Sequence, residues 1–324
     1  MRTLVTGPSG FVGTGLLQRL LKEPSFQVVA ASRTPFIASD ARVEGIVVGE
    51  LGTGTDWRAA LHGVDVVVHL AARVHVMHDT SADPLAEFRR INVEATLRLA
   101  RQAVEAGVRR FVYISSIKVN GELTPAGRPF RADDHPAPAD PYGFSKHEAE
   151  TALRQLATDS ALQLVVVRPT LVYGPGVRAN FRSMMGWLRR GLPLPLGAID
   201  NRRSLVGIDN LCDLIATCTQ HPAAAGQTFL ASDGEDVSTT ELLRRLGAAL
   251  GRPARLLPVP ASLLRAALAA LGKRDIGRRL CSSLQVDIAA TRAVLGWSPP
   301  VPLDEGLRRA AQAFLAETGS SASH

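Results

Sequence analysis

The sequence predicts an α/β protein: a doubly wound parallel sheet with a smaller, mainly helical C-terminal lobe. Three observations predict it. Short β-branched runs alternate with longer amphipathic stretches through the first half, the first run leads through a glycine-rich turn into a helical pattern, and the alternation breaks down after Arg168-Pro169. The runs Leu4-Val5-Thr6, Val28-Val29-Ala30, Val66-Val67-Val68, Phe111-Val112-Tyr113-Ile114 and Leu164-Val165-Val166-Val167 are nearly all apolar, as strands covered on both faces must be. Between them, 16–21, 92–106 and 145–156 repeat apolar residues at helical spacing. Gly174-Pro175-Gly176 and the two prolines in 192–197 read as loops, and an Ala/Leu-rich helical third follows. The sheet domain is expected over 1–168 with a return at about 204–231, and the second lobe over about 169–203 and 232–318. The small polar residues 319–324 are expected to be disordered.

Composition narrows the function classes. With 324 residues, 46% hydrophobic and 21% charged, the chain can bury a large core, which excludes disordered, collagen-like and disulfide-stapled proteins. The net charge of +7 comes mostly from Arg scattered singly or in pairs, with no run that reads as a nucleic-acid tail, so anionic small molecules are the expected partners. Cys212, Cys218 and Cys281 share no metal-ligand spacing and are expected as reduced thiols. No charged-then-apolar leader precedes the first strand, and the most apolar late segment, 261–271, contains Arg265 and is too short to span a bilayer. A cytoplasmic protein without a membrane span is expected, with the basic, apolar stretch 263–280 as a helix covering the second lobe. Trp57, Trp187 and Trp297 stand alone and read as packing residues.

The turn Gly7-Pro8-Ser9-Gly10-Phe11-Val12-Gly13 carries a Gly-x-x-Gly-x-x-Gly spacing directly after the first strand. Glycines there permit a tight turn, close approach of backbone to a pyrophosphate and close helix-to-strand packing, while the helix N-terminus presents amide donors. A dinucleotide is the ligand this arrangement fits. The second strand ends Ala31-Ser32-Arg33-Thr34, with no carboxylate to accept from a ribose 2′-hydroxyl. A hydroxyl and a guanidinium stand there instead, which favours NADP(H), with NAD(H) possible should Arg33 only stack on adenine or point into water.

Asp140-Pro141 opens a further helix with an N-cap and a first-turn proline, and places Tyr142 and Lys146 one turn apart on one face. An ammonium so placed lowers a phenol's pKa from about 10 toward neutrality.

With these residues in place, the chain resembles the short-chain dehydrogenase/reductase superfamily in its extended, Rossmann-fold form, the NAD-dependent epimerase/dehydratase family. The resemblance rests on the glycine turn, His69-Leu70-Ala71-Ala72, Asn92-Val93, Ser115-Ser116, Tyr142-x-x-x-Lys146 and the segment from Arg168-Pro169 to Gly174-Pro175-Gly176. It implies that Tyr142 is the general acid or base, that Lys146 lowers its pKa and holds the nicotinamide ribose, and that Ser116 bonds the reacting oxygen. It implies cofactor contacts from Gly7, Ser9, Gly10, Phe11, Val12, Gly13, Ser32, Arg33, Leu70, Ala71, Ala72 and Asn92, besides Tyr142 and Lys146. In the second lobe it implies a UDP-sugar held by Asn180, Leu194, Leu196 and Arg203, with Arg278 or Arg279 as a further diphosphate partner. A homodimer through 84–106 and 141–158 is also implied.

Sugar 4,6-dehydratases of this family carry Thr-Asp-Glu where this chain has Ser116-Ile117-Lys118. Isoleucine delivers no proton, which leaves hydride transfer at one carbon. The missing acidic ribose contact favours an exchangeable cofactor, and 72–79 and 117–122 resemble enzymes acting on UDP-4-keto-6-deoxy-N-acetylhexosamines. The expected activity is therefore NAD(P)H-dependent reduction of the C4 ketone of a UDP-linked 4-keto-6-deoxy sugar in surface-polysaccharide precursor synthesis. The alternative is a UDP-hexose 4-epimerase with tightly bound NAD, and a remote third is a redox-sensing nucleotide-binding module without catalysis. His75 and His78 are read as cleft or surface residues, with no metal site.

Overall fold

The computed structural model describes residues 1–74, 83–125 and 127–320. Its strands in chain order are β1 (Arg2–Thr6), β2 (Gln27–Ser32), β3 (Val43–Val47), β4 (Val66–His69), β5 (Arg110–Ile114), β6 (Gln163–Pro169), β7 (Leu171–Tyr173), β8 (Arg203–Gly207), β9 (Thr228–Ala231) and β10 (Asp236–Val237). Seven of them form a parallel sheet in the order β3-β2-β1-β4-β5-β6-β9. The chain winds outward from β1 to β3 and then crosses back to lay β4 on the other side of β1. Connections therefore leave the carboxyl ends of β1 and β4 in opposite directions, opening a crevice there. In that register Thr6 stands opposite His69, so the glycine turn and the Leu70–Ala72 segment are neighbours.

The sheet is buried on both faces because successive strand residues point to opposite sides. Val5, Val66, Val68, Val112 and Val167 pack against α1 (Phe11–Leu20) and α7 (Ile208–Gln220). Leu4, Val67, Phe111, Tyr113 and Val166 pack against α4 (Ala95–Glu105) and α5 (Pro141–Thr158). That is why the strands read as continuous apolar runs rather than alternating ones. Short helices α2 (Arg58–Leu61) and α3 (Pro84–Arg89) precede α4, and a π-helical turn, Arg90–Glu94, joins α3 to α4.

A second core belongs to the C-terminal lobe. It gathers α6 (Ala179–Arg189), α8 (Thr239–Ala249) and α12 (Leu303–Ser320) around Tyr173, Phe181, Leu205, Leu243 and Leu307. A small sheet, β10-β8-β7, lies between the cores. The helical hairpin α9 (Ala261–Ala270) and α10 (Arg274–Cys281) and then α11 (Ala289–Leu295) complete the chain. One expectation is adjusted and one is met. Residues 319–320 continue α12, while 321–324 lie outside the described residues. The stretch 263–280 forms helices that cover the second lobe as expected, packing Leu264, Leu268 and Leu280 on its core, while Leu263 and Leu271 stay 62% and 70% exposed.

One buried polar network ties the sheet to α5. Arg168, at the end of β6, donates through Nε and Nη2 to both oxygens of Glu150 at 2.9 and 2.6 Å, and through Nη1 to Asn120 Oδ1 at 2.9 Å. All three residues are nearly inaccessible. A buried pair of this kind is costly to break one-sidedly, because the survivor is left charged and unpaired. Arg168→Met is expected to destabilise the fold by about 3–5 kcal/mol in urea unfolding, and the double variant Arg168→Met/Glu150→Leu to recover much of that loss. Equal destabilisation by the single and double variants would contradict this.

Candidate active site

The crevice is built first from backbone. Gly7 has φ +68°, a conformation open to glycine, and a Cβ there would meet Ala71 Cα and N at 3.3 Å. A Cβ on Gly13 would lie 2.1 Å from the Gly7 carbonyl oxygen. The turn therefore folds only with glycine at its first and third positions. Gly10 is the N-cap of α1; its side makes no capping bond and the first turn contains no acid, so the exposed helix end is suited to a pyrophosphate. Ser9 and Gly10 are exposed, and Phe11 and Val12 are half-buried. This cradle fits a dinucleotide.

Thr6 locks the two strand ends together. Its hydroxyl oxygen accepts from Leu70 N and Ala71 N, both at 3.1 Å, so its own proton goes to His69 Nδ1 at 2.8 Å. His69 then carries its proton on Nε2 and donates to Thr96 Oγ1 at 2.9 Å. Burial, followed by the neighbouring Lys146 charge, pushes His69 down to about 3, which keeps it neutral. Asn92, on the inner side of the π-helical turn, accepts from Arg73 N at 2.8 Å and donates to Arg73 O and to Ser145 Oγ at 3.1 and 3.0 Å. It anchors the segment after Ala72 to α5, and its amide is directed to protein groups.

At the tip of β2 the Ser32 hydroxyl donates to the Thr34 carbonyl at 2.6 Å. Arg33 is exposed and lies 3.4 Å from Glu50, past the end of β3. Neither group is presented bare to a phosphate, and the tip does contain a carboxylate, one that sequence inspection of β2 alone does not find.

The residues expected to handle protons lie at and beside the start of α5. Asp140 caps the helix by accepting from Gly143 N at 2.7 Å and pairs with Lys118. Tyr142 is half-buried and edge-on to Phe88 at 6.1 Å between ring centroids, with Ser116 near enough to act on its pKa. Ser116 in turn accepts from Lys118 N at 3.2 Å. The structure thus brings Ser116, Tyr142 and Lys146 together. It alters one expectation, that Lys146 brings the phenol down. Burial and then the Asp140 charge push Tyr142 up to about 12, with only Ser116 acting the other way. Lys146 is itself buried and burial pulls it down to about 7, against the Glu150 charge. Its Nζ donates to Ile114 O at 2.8 Å and lies over the Tyr113 ring at 4.6 Å, against 6.0 Å for the Tyr142 ring. An ammonium that is half neutral near pH 7 and bonded elsewhere stabilises a tyrosinate little.

The C-terminal lobe supplies the other side of the crevice. Asn180 is exposed in the first turn of α6. Leu194 exchanges backbone bonds with Arg255 and Leu257 at 2.9 and 2.8 Å, and the buried Leu196 offers its carbonyl to Thr240 Oγ1 at 2.5 Å. Arg203 donates to Arg279 O and Ser282 O at 3.0 and 3.2 Å, and burial lowers its pKa. Arg278 pairs with Glu122 at 2.8 Å, linking α10 to the segment that follows Ser116. Cys212, Cys218 and Cys281 are free thiols. Among the described residues no group of three His, Cys, Asp or Glu could hold a metal, and His75 and His78 lie outside those residues.

The burial of Lys146 makes a measurable signature. In the cofactor-free protein its pKa is about 7 against the usual 10.5, so between those values the unfolded chain binds one more proton than the folded one. Stability therefore rises with pH across that window, by at most about 1.4 kcal/mol per unit, and the penalty is fully present below about pH 7. Lys146→Met is expected to remove this rise from urea unfolding curves recorded at stepped pH; an unchanged slope would show that the ammonium is not desolvated.

The chain is 50% identical over 313 residues, covering 96% of it and 95% of the relative, to a Vibrio cholerae protein named UDP-glucose 4-epimerase. It is 29% identical, over 97% of the chain and 98% of the relative, to a Mycolicibacterium smegmatis protein of the same name. Among solved structures, MoeE5 in complex with UDP-glucuronic acid and NAD superposes with TM-score 0.77 at 27% identity, covering 98% of this chain and all of that one. The UDP-glucuronic acid 4-epimerase of Bacillus cereus in complex with NAD gives TM-score 0.78 at 21% identity, over 98% and 99% of the two chains, and shows the shared fold. The 50% relative overturns the expectation of a 4-keto reductase. That expectation leaned on the missing acid at the tip of β2, yet the structure puts Glu50 beside Arg33. Residues 3–231 match the NAD dependent epimerase/dehydratase family, and the chain belongs to it.

Proposed function

We propose that the protein is a UDP-hexose 4-epimerase that interconverts UDP-glucose and UDP-galactose with tightly held NAD. The observation that carries this reading is the 50% identity, over nearly the full length of both chains, to the Vibrio cholerae protein named UDP-glucose 4-epimerase. Support for NAD comes from the Arg33–Glu50 pair, which puts a negative charge where a 2′-phosphate would lie, and from NAD in the MoeE5 complex.

NAD, when bound, supplies a reversible hydride acceptor for the sugar carbon. Tyr142 Oη takes the proton of the sugar 4-hydroxyl as that carbon is oxidised and returns it on reduction, so no net redox change results. Ser116 orients the same oxygen, and Lys146 fixes α5 against β5. Arg203 and Arg278 face the diphosphate, whose paired charge suits a planar guanidinium, and Asn180, Leu194 and Leu196 line the nucleotide end. The same reading carries a homodimer through 84–106 and 141–158, supported by Phe144, which is 44% exposed on the outer face of α5.

Purified protein is expected to convert UDP-galactose to UDP-glucose without added nucleotide and to release NAD, not NADP, on heat denaturation. Tyr142→Phe is expected to lower kcat by roughly 10²–10⁴-fold with little change in KM. Turnover of a 4-keto sugar with stoichiometric consumption of NADPH, and none of UDP-galactose, would overturn the proposal.

A further inference from the structure

Positive charge is dense in one late stretch of the chain. Within 252–279, seven Arg or Lys side chains stand against the single carboxylate of Asp275, as six Arg stand against Asp200 within 178–203. The later stretch contains the α9–α10 hairpin. Arg265, Lys273, Arg274 and Arg279 are exposed there, and among the described residues none of the four makes an ion pair.

The hairpin also turns an apolar face outward. Leu264 is buried in the lobe core and Leu268 packs close to Gly277, where a Cβ would lie 3.4 Å from Leu268 Cδ1; these contacts settle which side of α9 faces inward. Leu263, Ala266, Ala267, Ala270 and Leu271 are all exposed. At 3.6 residues per turn they fall within an arc of about 140°, a continuous stripe along a helix roughly 15 Å long. Arg265 lies on the opposite side of α9, toward α10, and Lys273 and Arg274 close the end of the stripe.

We propose that α9 and the turn into α10 form a docking surface for an anionic phospholipid bilayer, lying in the interface plane. The stripe of Leu and Ala has no polar atom to direct a partner's hydrogen bonds and fits an apolar phase, while the cations beside it match lipid phosphates. Nucleic acid would engage the cations and leave the stripe in water. No helix among the described residues is long and apolar enough to cross a membrane, so the attachment lies on the bilayer surface. The proposal goes beyond epimerisation and does not depend on it.

The test is sedimentation of the full-length protein with phosphatidylglycerol-containing vesicles and with pure phosphatidylcholine vesicles. The parent protein is expected to bind the anionic vesicles at low salt, to detach at high salt and to ignore the neutral ones. Lys273→Gln/Arg274→Gln is expected to lower the partition coefficient about 30-fold, and Leu263→Gln/Leu271→Gln to abolish binding, both with unchanged soluble turnover and thermal unfolding. The proposal is overturned by absent binding to anionic vesicles, by equal binding to both kinds, or by variants that bind like the parent. It is equally overturned if Leu263→Gln/Leu271→Gln instead dissolves a self-association of the parent that never binds lipid.

Discussion

The hydrogen bond from Lys146 Nζ to the Ile114 carbonyl is the constraint about which the site is arranged. It joins the second turn of α5 to the carboxyl end of a central strand, and it is made in a place from which water is excluded. A lysine held this way cannot swing out, so Tyr142, one turn earlier, is fixed in height above the sheet. The cost is visible in the depressed pKa of the ammonium, and Glu150, one turn further on, offsets part of it. Arg168 then balances Glu150 and reaches Asn120, beside the Ser116 turn. A single polar chain thus runs from the end of β6 through α5 to Lys146 and to the turn after Ser116.

The other half of the crevice is held without charge. Thr6, His69 and Thr96 bridge β1, β4 and α4 through neutral hydrogen bonds, and a histidine pushed to about 3 stays neutral through any physiological change of pH. The glycine turn and Leu70-Ala71 are therefore set by groups that do not titrate. Across the crevice, Lys146, pulled down to about 7, is the group able to change protonation near neutral pH.

Local features were legible in the sequence and long-range ones were not. The glycine turn, the Asp140-Pro141 cap and the Tyr142/Lys146 pair depend on spacings of a few residues, and the five central strands are marked by being covered on both faces. β3 is short, half-exposed and lies at the sheet edge, so it lacks that mark. Glu50 meets Arg33 only because β3 pairs with β2, and Arg168 meets Glu150 only because α5 packs beside β6. The amphipathy of α9 could be read, yet which of its sides met the lobe depended on Gly277 and Leu268. The reductase expectation failed for a related reason: it used the side chains at one strand tip, and the carboxylate there comes from past the end of β3.

The π-helical turn at Arg90–Glu94 absorbs one extra residue between α3 and α4. Its wider winding holds one residue more than a regular α-helical turn would, and this brings the Asn92 amide inward to both Arg73 and Ser145. Deleting a single residue there would restore ordinary winding and leave the flanking helices near their present phase, but would turn Asn92 away from its inward position. The amide would leave its partners, and the loop after β4 would lose its moorings to α5. Length is thus fixed at this joint more strictly than residue identity around it, and a homologue lacking that residue would have to close the crevice by some other means.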